Sequence, residues 1–119
     1  HLQCAWFNAD EIRRMAKDWS FDSTARIRQA VRMRNIADYE HQHGKSVICD
    51  FVCPTPETRE AFGADLSIFM DTIESGRFAD TNRIFEKPHP QAITFWITEF
   101  VSDDAIQDLA GVLRDSYNV

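Results

Sequence analysis

The sequence predicts a single α/β domain with a mostly parallel sheet, and three observations favour this class. Short apolar runs alternate with segments of helical periodicity, which is typical of parallel strands covered by helices on both faces. The length of 119 residues suits one domain. Hydrophobic residues make up 44% of the chain and charged residues 27%, as in ordinary folded proteins. We therefore expect one domain over residues 1–119.

The first half of the chain is expected to begin with a strand and two helices. The apolar run Ala5-Trp6-Phe7 stops at polar residues, and a helix follows from about Asp10 to Lys17. Asp22 or Ser23 can cap the longest helix, which Gly44 ends. The apolar positions of this helix are Ile27, Ala30, Val31, Met33, Ile36 and Ala37.

The second half predicts three further strands, at 47–52, 66–70 and 92–97. Thr55 caps a short helix that has Pro56 in its first turn and ends at Phe62-Gly63. Ser102 caps a last helix, with Ile106, Leu109, Ala110 and Leu113 on one face. Residues 74–91 carry charges, two prolines and little periodicity, which predicts a lid or long loop.

Three predicted strands end next to acidic residues, namely Asp10, Asp50 and Asp71. Ligands of open parallel sheets bind beyond the carboxyl ends of the strands. Asp10 and Asp50 should therefore face the same crevice, and the start of the long helix near Arg26 can approach it. Asp50 has the position of an acidic strand end that helps to hold Mg²⁺, although many buried strands end in Asp.

The charge distribution argues against some partners and leaves a local anion site open. The net charge of -6 disfavours a protein that coats nucleic acid or an anionic membrane. Seven of the thirteen basic residues nevertheless lie between positions 13 and 34, where only Asp18 and Asp22 oppose them. This basic segment is either an anion site or a solvated helix face.

The cysteines and the apolar runs indicate the cellular location of the protein and whether it binds zinc. The three cysteines are an odd number, and two lie in apolar runs, so we expect reduced thiols. No apolar run reaches the roughly 18 residues that a membrane span needs, and the first residues are no signal peptide. We expect a cytoplasmic protein without a membrane partner. The His and Cys spacings predict no zinc site, and no metal ligand set is assigned.

The tripeptide Gly44-Lys45-Ser46 looks like the end of a phosphate-binding loop but fails two tests. The first glycine of that motif would be at position 39, which is Tyr39. The motif should also lead from a strand into a helix, whereas this tripeptide leads from a helix into a strand. It is expected to be a helix-terminating glycine and a polar turn.

Three groups of residues, taken together, resemble the adenylylsulfate kinase (APS kinase) family in order and spacing. The resemblance covers about positions 4 to 75 well and the remainder loosely. The three groups are Phe7-Asn8-Ala9-Asp10-Glu11-Ile12-Arg13, then Trp19-Ser20-Phe21-Asp22 with Arg26, Gln29 and Arg32, then Val47-Ile48-Cys49-Asp50-Phe51-Val52-Cys53-Pro54 with Arg59-Glu60.

The resemblance implies a three-layer P-loop NTPase-like kinase fold and a reaction. Such kinases transfer the γ-phosphoryl group of ATP, with Mg²⁺, to the 3′-hydroxyl of adenylylsulfate. The expected partner is therefore a small nucleotide, in the context of sulfate activation. Asp10 matches the acid near the accepting hydroxyl, Arg13 an arginine on the anionic groups, and Phe21 a ring that stacks on adenine. Arg26 and Gln29 match a polar pair that binds adenylylsulfate.

Further site residues follow from the same resemblance. The strand exit Val52-Cys53-Pro54 matches a substrate-binding stretch, and Cys53 stands where the family usually has Ser. The segment from 75 to 85 does not reproduce the family's lysine-rich lid. Its candidate substitutes are Arg77, Asn82 and Arg83.

The chain departs most from the family at its start, where the family has a strand and a glycine-rich Walker A loop. We therefore expect the 119-residue chain to lack the ATP half of the site and to be inactive alone. Open strand edges would make a homodimer plausible. A kinase for another small hydroxyl substrate and a non-catalytic nucleotide-binding relative stay open. Asp10 could also be a helix cap, and Phe21 a hydrophobic staple.

Overall fold

A computed structural model of the chain describes residues 3–72, 83–99 and 102–117, in which strands and helices alternate. The strands are β1 (Cys4–Asn8), β2 (Ser46–Asp50), β3 (Ile68–Met70) and β4 (Phe95–Ile97). The helices are α1 (Ala9–Ala16), α2 (Ser23–Gln42), α3 (Pro56–Phe62) and α4 (Asp103–Tyr117), with a 3₁₀ turn at Pro90–Ala92.

Every strand pairing in the described part of the chain is parallel, which confirms the predicted fold class. β1 pairs with β2 so that Asn8 lies opposite Asp50 at the carboxyl end. β3 pairs with β4. The described strands form two separate two-stranded sheets. Because β1 and β2 end at the same edge, the polar residues that follow them meet there.

Caps and turns fix the helix boundaries close to the predicted positions. Asp22, rather than Ser23, caps α2, because its side chain accepts a hydrogen bond from the Ala25 amide. Thr55 and Thr58 form a capping box at the start of α3. Gly44 has φ +82° and donates its amide to the His41 carbonyl, so Gly44-Lys45-Ser46 is a helix-to-strand turn, as predicted.

The buried apolar core is small and centred on α2. Met33 is fully buried and packs against Ala9 and Ile12 of α1. Half-buried side chains complete this cluster, namely Phe7, Ile36, Cys49, Phe51 and Phe62. Val31, one of the apolar positions of the sequence pattern, is 43% exposed and lies outside this cluster.

The buried face of α2 is turned by about one residue from the predicted stripe, and two of its members are polar. Arg26 and Gln29 are buried there beside Ala25 and Ala30. The periodicity of apolar residues cannot show this, because it counts an arginine as polar even where its guanidinium is bonded internally. These buried polar residues lead from the core to the site.

The second sheet is shorter than predicted. β4 begins at Phe95 rather than at position 92, because Pro90–Ala92 form a turn capped by the His89 side chain. The amides of Ala92 and Ile93 bond back to the carbonyls of His89 and Pro90, so the strand cannot use them and begins later. None of the helices in the described ranges is long and apolar enough to cross a membrane.

Candidate functional site

Asn8 joins three elements at the carboxyl edge of the first sheet. Its side-chain oxygen accepts the amides of Asp10 and Glu11 at 3.0 and 3.3 Å and thereby caps α1. Its side-chain nitrogen donates to Oδ2 of Asp50 at 3.2 Å. Sequence reasoning missed this role, although Asn at a strand end two residues before a helical Asp is a strong capping signal.

Asp10 and Asp50 lie at the same edge, each next to Asn8. Asn8 is the cap of α1, so the alternative that Asp10 is the cap was wrong. Asp10 instead sits in the first turn of α1, where the helix dipole favours a carboxylate. The third predicted acid is engaged elsewhere, since Asp71 accepts from Trp96 Nε1 at 3.1 Å and pairs with Lys87.

The carboxylates at this edge are the groups that could bind the predicted Mg²⁺. The described ranges contain no group of three or more His, Cys, Asp or Glu side chains that could hold a metal ion. Mg²⁺ commonly binds through one or two carboxylates together with substrate phosphates. Asp50, which is exposed, can supply one such carboxylate, so its assignment as a Mg²⁺-associated residue stays a prediction.

Phe21 and two arginines form a compact unit in the connection between α1 and α2. The guanidinium carbon of Arg13 lies 4.6 Å from the ring centroid, and that of Arg26 lies 5.4 Å away. Arg26 also donates from Nε to the Phe21 carbonyl at 2.7 Å. Phe21 as a whole residue is 37% exposed. This unit presents a partly open aromatic surface next to two cations.

The alternative that Phe21 forms a hydrophobic staple was wrong, because the side chain it packs against is not apolar. Phe21 does precede the N-cap of α2, as a staple residue would. The residue one turn into the helix is Arg26, however, and its guanidinium takes the place of the usual apolar side chain. The contact is therefore a cation–π interaction.

Arg13 and Gln29 are buried, and both bond to backbone carbonyls of the chain. Arg13 is 6% exposed and donates from Nη1 to the carbonyls of Asp18 and Ser20. Burial lowers the pKa of its guanidinium. Gln29 is 3% exposed and donates to the Ala9 carbonyl at 3.0 Å. Both side chains thus hold the backbone around the site, and their contacts with a substrate stay predictions.

The basic segment 13–34 is not a uniformly solvated helix face. Arg13 and Arg26 are buried, and Arg34 donates to the Phe62 and Gly63 carbonyls at the end of α3. Arg28 and Arg32 contact Asp18. Most of these cations are therefore engaged by backbone carbonyls or by Asp18. Arg14 differs, because it forms an exposed ion pair with Glu11.

The strand exit Val52-Cys53-Pro54 follows β2 directly. Val52 is 57% exposed, whereas Pro54 is buried. Cys53 has φ +46°, the left-handed region that costs a residue with a Cβ about 1 kcal/mol. Arg59 holds this turn, since it donates to the carbonyls of Cys53 and Pro54 at 3.0 and 3.2 Å.

The predicted lid residues fall largely outside the described ranges. Arg77 and Asn82 lie there, and Arg83 is exposed in a helical stretch that ends at residue 84. The following backbone returns to the strand exit, because the Glu86 amide donates to the Pro54 carbonyl at 2.8 Å. Arg59 also donates to the Glu86 carbonyl.

The three free thiols are expected to react with iodoacetamide at very different rates. Cys4 is exposed, whereas burial raises the pKa of Cys49 to about 11 and also raises that of Cys53. At pH 8 only about one Cys49 side chain in a thousand is therefore a thiolate. Mass spectrometry of timed digests should show Cys4 modified first. Equal rates at Cys4 and Cys49 would contradict this burial.

Comparison with known proteins identifies the fold. No family model and no curated protein sequence matches the chain. Among solved structures, it is similar to the Mycobacterium tuberculosis APS kinase CysC in complex with AMPPNP and APS. The TM-score is 0.77 at 18% identity, over 95% of this chain and 81% of that chain.

A second solved structure is the Cys556Ala mutant of the Mycobacterium tuberculosis APS kinase CysC. It aligns with a TM-score of 0.68 at 19% identity, over 95% of this chain and 77% of that chain. At this level of identity the likeness concerns the fold. The chain therefore has an APS-kinase-like α/β fold, as the resemblance of its motifs predicts.

Proposed function

We propose that the chain carries the acceptor-binding part of an APS-kinase-like phosphotransferase site and binds adenylylsulfate. The observation that carries this proposal is the Phe21 ring with the Arg13 and Arg26 guanidiniums against it. A partly exposed ring offers a face for the adenine base, and guanidiniums suit sulfate and phosphate oxygens. Asp10 follows β1 at the neighbouring edge.

The proposed reaction needs positioning and charge neutralisation more than covalent chemistry from the protein. The 3′-oxygen of adenylylsulfate forms a bond to the γ-phosphorus of ATP, while the bond from that phosphorus to the β–γ bridging oxygen breaks. ADP is the leaving group. Asp10 orients the hydroxyl and accepts its proton, a role that requires hydrogen-bond reach to the 3′-oxygen.

The ATP and Mg²⁺ side of the proposal rests on other support. The neighbouring APS kinase is in complex with AMPPNP and APS, which supports a nucleotide triphosphate as the donor. Mg²⁺, when bound, neutralises charge on the phosphates, and Asp50 is the residue that would approach it. A cytoplasmic place in sulfate activation and a homodimer belong to the same proposal.

Calorimetry with adenylylsulfate tests the acceptor site on the 119-residue chain. We expect binding of adenylylsulfate that weakens roughly 5- to 100-fold in Phe21→Leu, because the variant keeps apolar bulk but loses the face on which a base stacks. Adenosine should bind more weakly than adenylylsulfate to the unaltered chain, since it lacks the anionic groups.

Trp19→Leu is the matched control for that experiment. Trp19 lies in the same connection, is 49% exposed, and is also aromatic. Its replacement should leave the Kd for adenylylsulfate within about twofold, as for an exposed side chain to which no ligand contact is assigned. If adenylylsulfate does not bind the unaltered chain, the proposed function is wrong. Equal losses in both variants would remove Phe21 as the stacking residue.

A further inference from the structure

The Asp18 carboxylate is the centre of an ion-pair cluster that links the connection after α1 to α2. Oδ2 accepts Arg28 Nε at 2.8 Å and Arg32 Nη2 at 2.9 Å, and Oδ1 accepts Arg28 Nη2 at 3.1 Å. Oδ1 also accepts the Ser20 amide at 3.3 Å. The Asp18 side chain is only 13% exposed. One carboxylate thus receives four hydrogen bonds from three residues.

The cluster continues from Asp18 to the start of α1. Arg32 donates from Nη1 to the side-chain oxygen of Gln29, and Gln29 donates to the carbonyl of Ala9. Ala9 is the residue before Asp10, in the first turn of the helix. A continuous chain of hydrogen bonds therefore leads from Asp18 through α2 to the Ala9 carbonyl, which belongs to the peptide bond that joins Ala9 to Asp10.

The connection 17–22 is held by side chains more than by its own backbone bonds. At the end of α1 its backbone bonds run from Lys17 to the Arg14 carbonyl and from Asp18 to the Arg13 carbonyl. At the start of α2 the Asp22 carbonyl accepts the Arg26 amide. Beyond Asp18 the backbone is fixed by Arg13, which donates to the Ser20 carbonyl, and by Arg26, which donates to the Phe21 carbonyl.

We propose that Asp18 is a positioning residue of the site, which holds Phe21 through the connection 17–22 and the start of α1 through Arg32 and Gln29. The structural part of this proposal stands alone, while its effect on adenylylsulfate rests on the proposed function. The ligand is the one named under the proposed function. The new element is a residue that fixes the positions of both Phe21 and the start of α1.

The arrangement differs from an ordinary surface ion pair, which contributes little because both ends are solvated. Here the carboxylate is largely covered, and one arginine forms a fork on its two oxygens. The bonds from Arg28 first, and then from Arg32, hold the pKa of Asp18 well below its usual range. The carboxylate is therefore ionised, and the cluster intact, throughout the neutral range.

Hydrogen exchange measured by mass spectrometry tests the structural part. In Asp18→Asn we expect amides of residues 18–21 and 10–13 to exchange about three- to tenfold faster. Amides around Met33 in α2 should keep their rates. Asp22→Asn is the matched control, because it removes the same charge from the same connection while Asn still caps α2 well. It should leave exchange at 18–21 unchanged.

Calorimetry with adenylylsulfate on the same variants tests the functional part. Asp18→Asn should raise the Kd about three- to tenfold, while Asp18→Glu, which keeps the charge, restores most of the affinity. Arg28→Gln, which removes one arm of the cluster, should have a smaller effect in the same direction. This variant decides the question if Asp18→Asn does not fold.

The outcomes separate the two proposals. Unchanged exchange at 18–21 in Asp18→Asn, or equal changes in Asp22→Asn, would overturn the positioning role whatever the chain binds. Faster exchange throughout α2 would reduce Asp18 to a general stabilising residue and overturn it as well. Localised faster exchange in a chain that does not bind adenylylsulfate would uphold the positioning of Phe21 and reject the proposed function.

Discussion

Met33→Ala is expected to lower the free energy of unfolding by about 2–5 kcal/mol, the usual range for truncating a buried methionine. Met33 is fully buried and joins α2 to Ala9 and Ile12 of α1. The core is small, so few neighbours can move to fill the cavity. Urea unfolding followed by circular dichroism measures the change as a lower midpoint at constant slope.

Val31→Ala provides the control within the same helix. Val31 is 43% exposed, so its truncation leaves no cavity in the core. The free energy of unfolding should therefore change by less than about 0.5 kcal/mol. Comparable losses at both positions would mean that α2 is turned differently on α1. The buried positions of Arg26 and Gln29 would then be in error too, because they lie on the same face as Met33.

The fold class and the helix ends were predictable because their signals are local. A Gly after a long amphipathic segment and a Thr before a Pro specify helix ends through the backbone bonds that they satisfy. Gly44 and Thr55 accordingly occupy the predicted places. The predicted parallel pairing is confirmed. It was predictable because short apolar strands alternate with helices along the chain.

The interior of the candidate site was not predictable from local signals. Whether an arginine is solvated or buried depends on carbonyls that reach it from another segment, and sequence spacing does not show them. Arg13 is buried because the connection 17–22 offers it the Asp18 and Ser20 carbonyls. Asp18 itself was counted only as an opposing charge. Its partners lie 10 and 14 residues away, on successive turns of α2.

Arg59→Met is expected to lower the free energy of unfolding by about 1–3 kcal/mol, because it removes hydrogen bonds from carbonyls that are partly shielded from water. Arg59 donates to Cys53 and Pro54 of the strand exit and to Glu86 of the returning segment. Its guanidinium lies 5.5 Å from the Phe85 ring centroid. Urea unfolding of the variant and the unaltered chain measures the difference.

Arg59→Lys distinguishes the shape of the side chain from its charge. Lysine keeps the charge but cannot form the planar fork that reaches carbonyls of two segments at once, so it should recover less than half of the loss. Arg14→Met, on the exposed surface of α1, should cost less than about 0.5 kcal/mol. Full recovery by lysine would mean that the charge alone acts at position 59.

Arg59 also connects the strand exit to the second sheet, through the Phe85 ring. The Phe85 ring stacks on Phe69 of β3 at 6.0 Å, and Phe69 meets Trp96 of β4 edge to face at 4.7 Å. Loss of the Arg59 fork should therefore speed amide exchange at residues 85–87 and 53–55 together. Faster exchange in one segment alone would show that the two are held independently. Joint loosening would show that Arg59 couples the strand exit to the segment at 85–87.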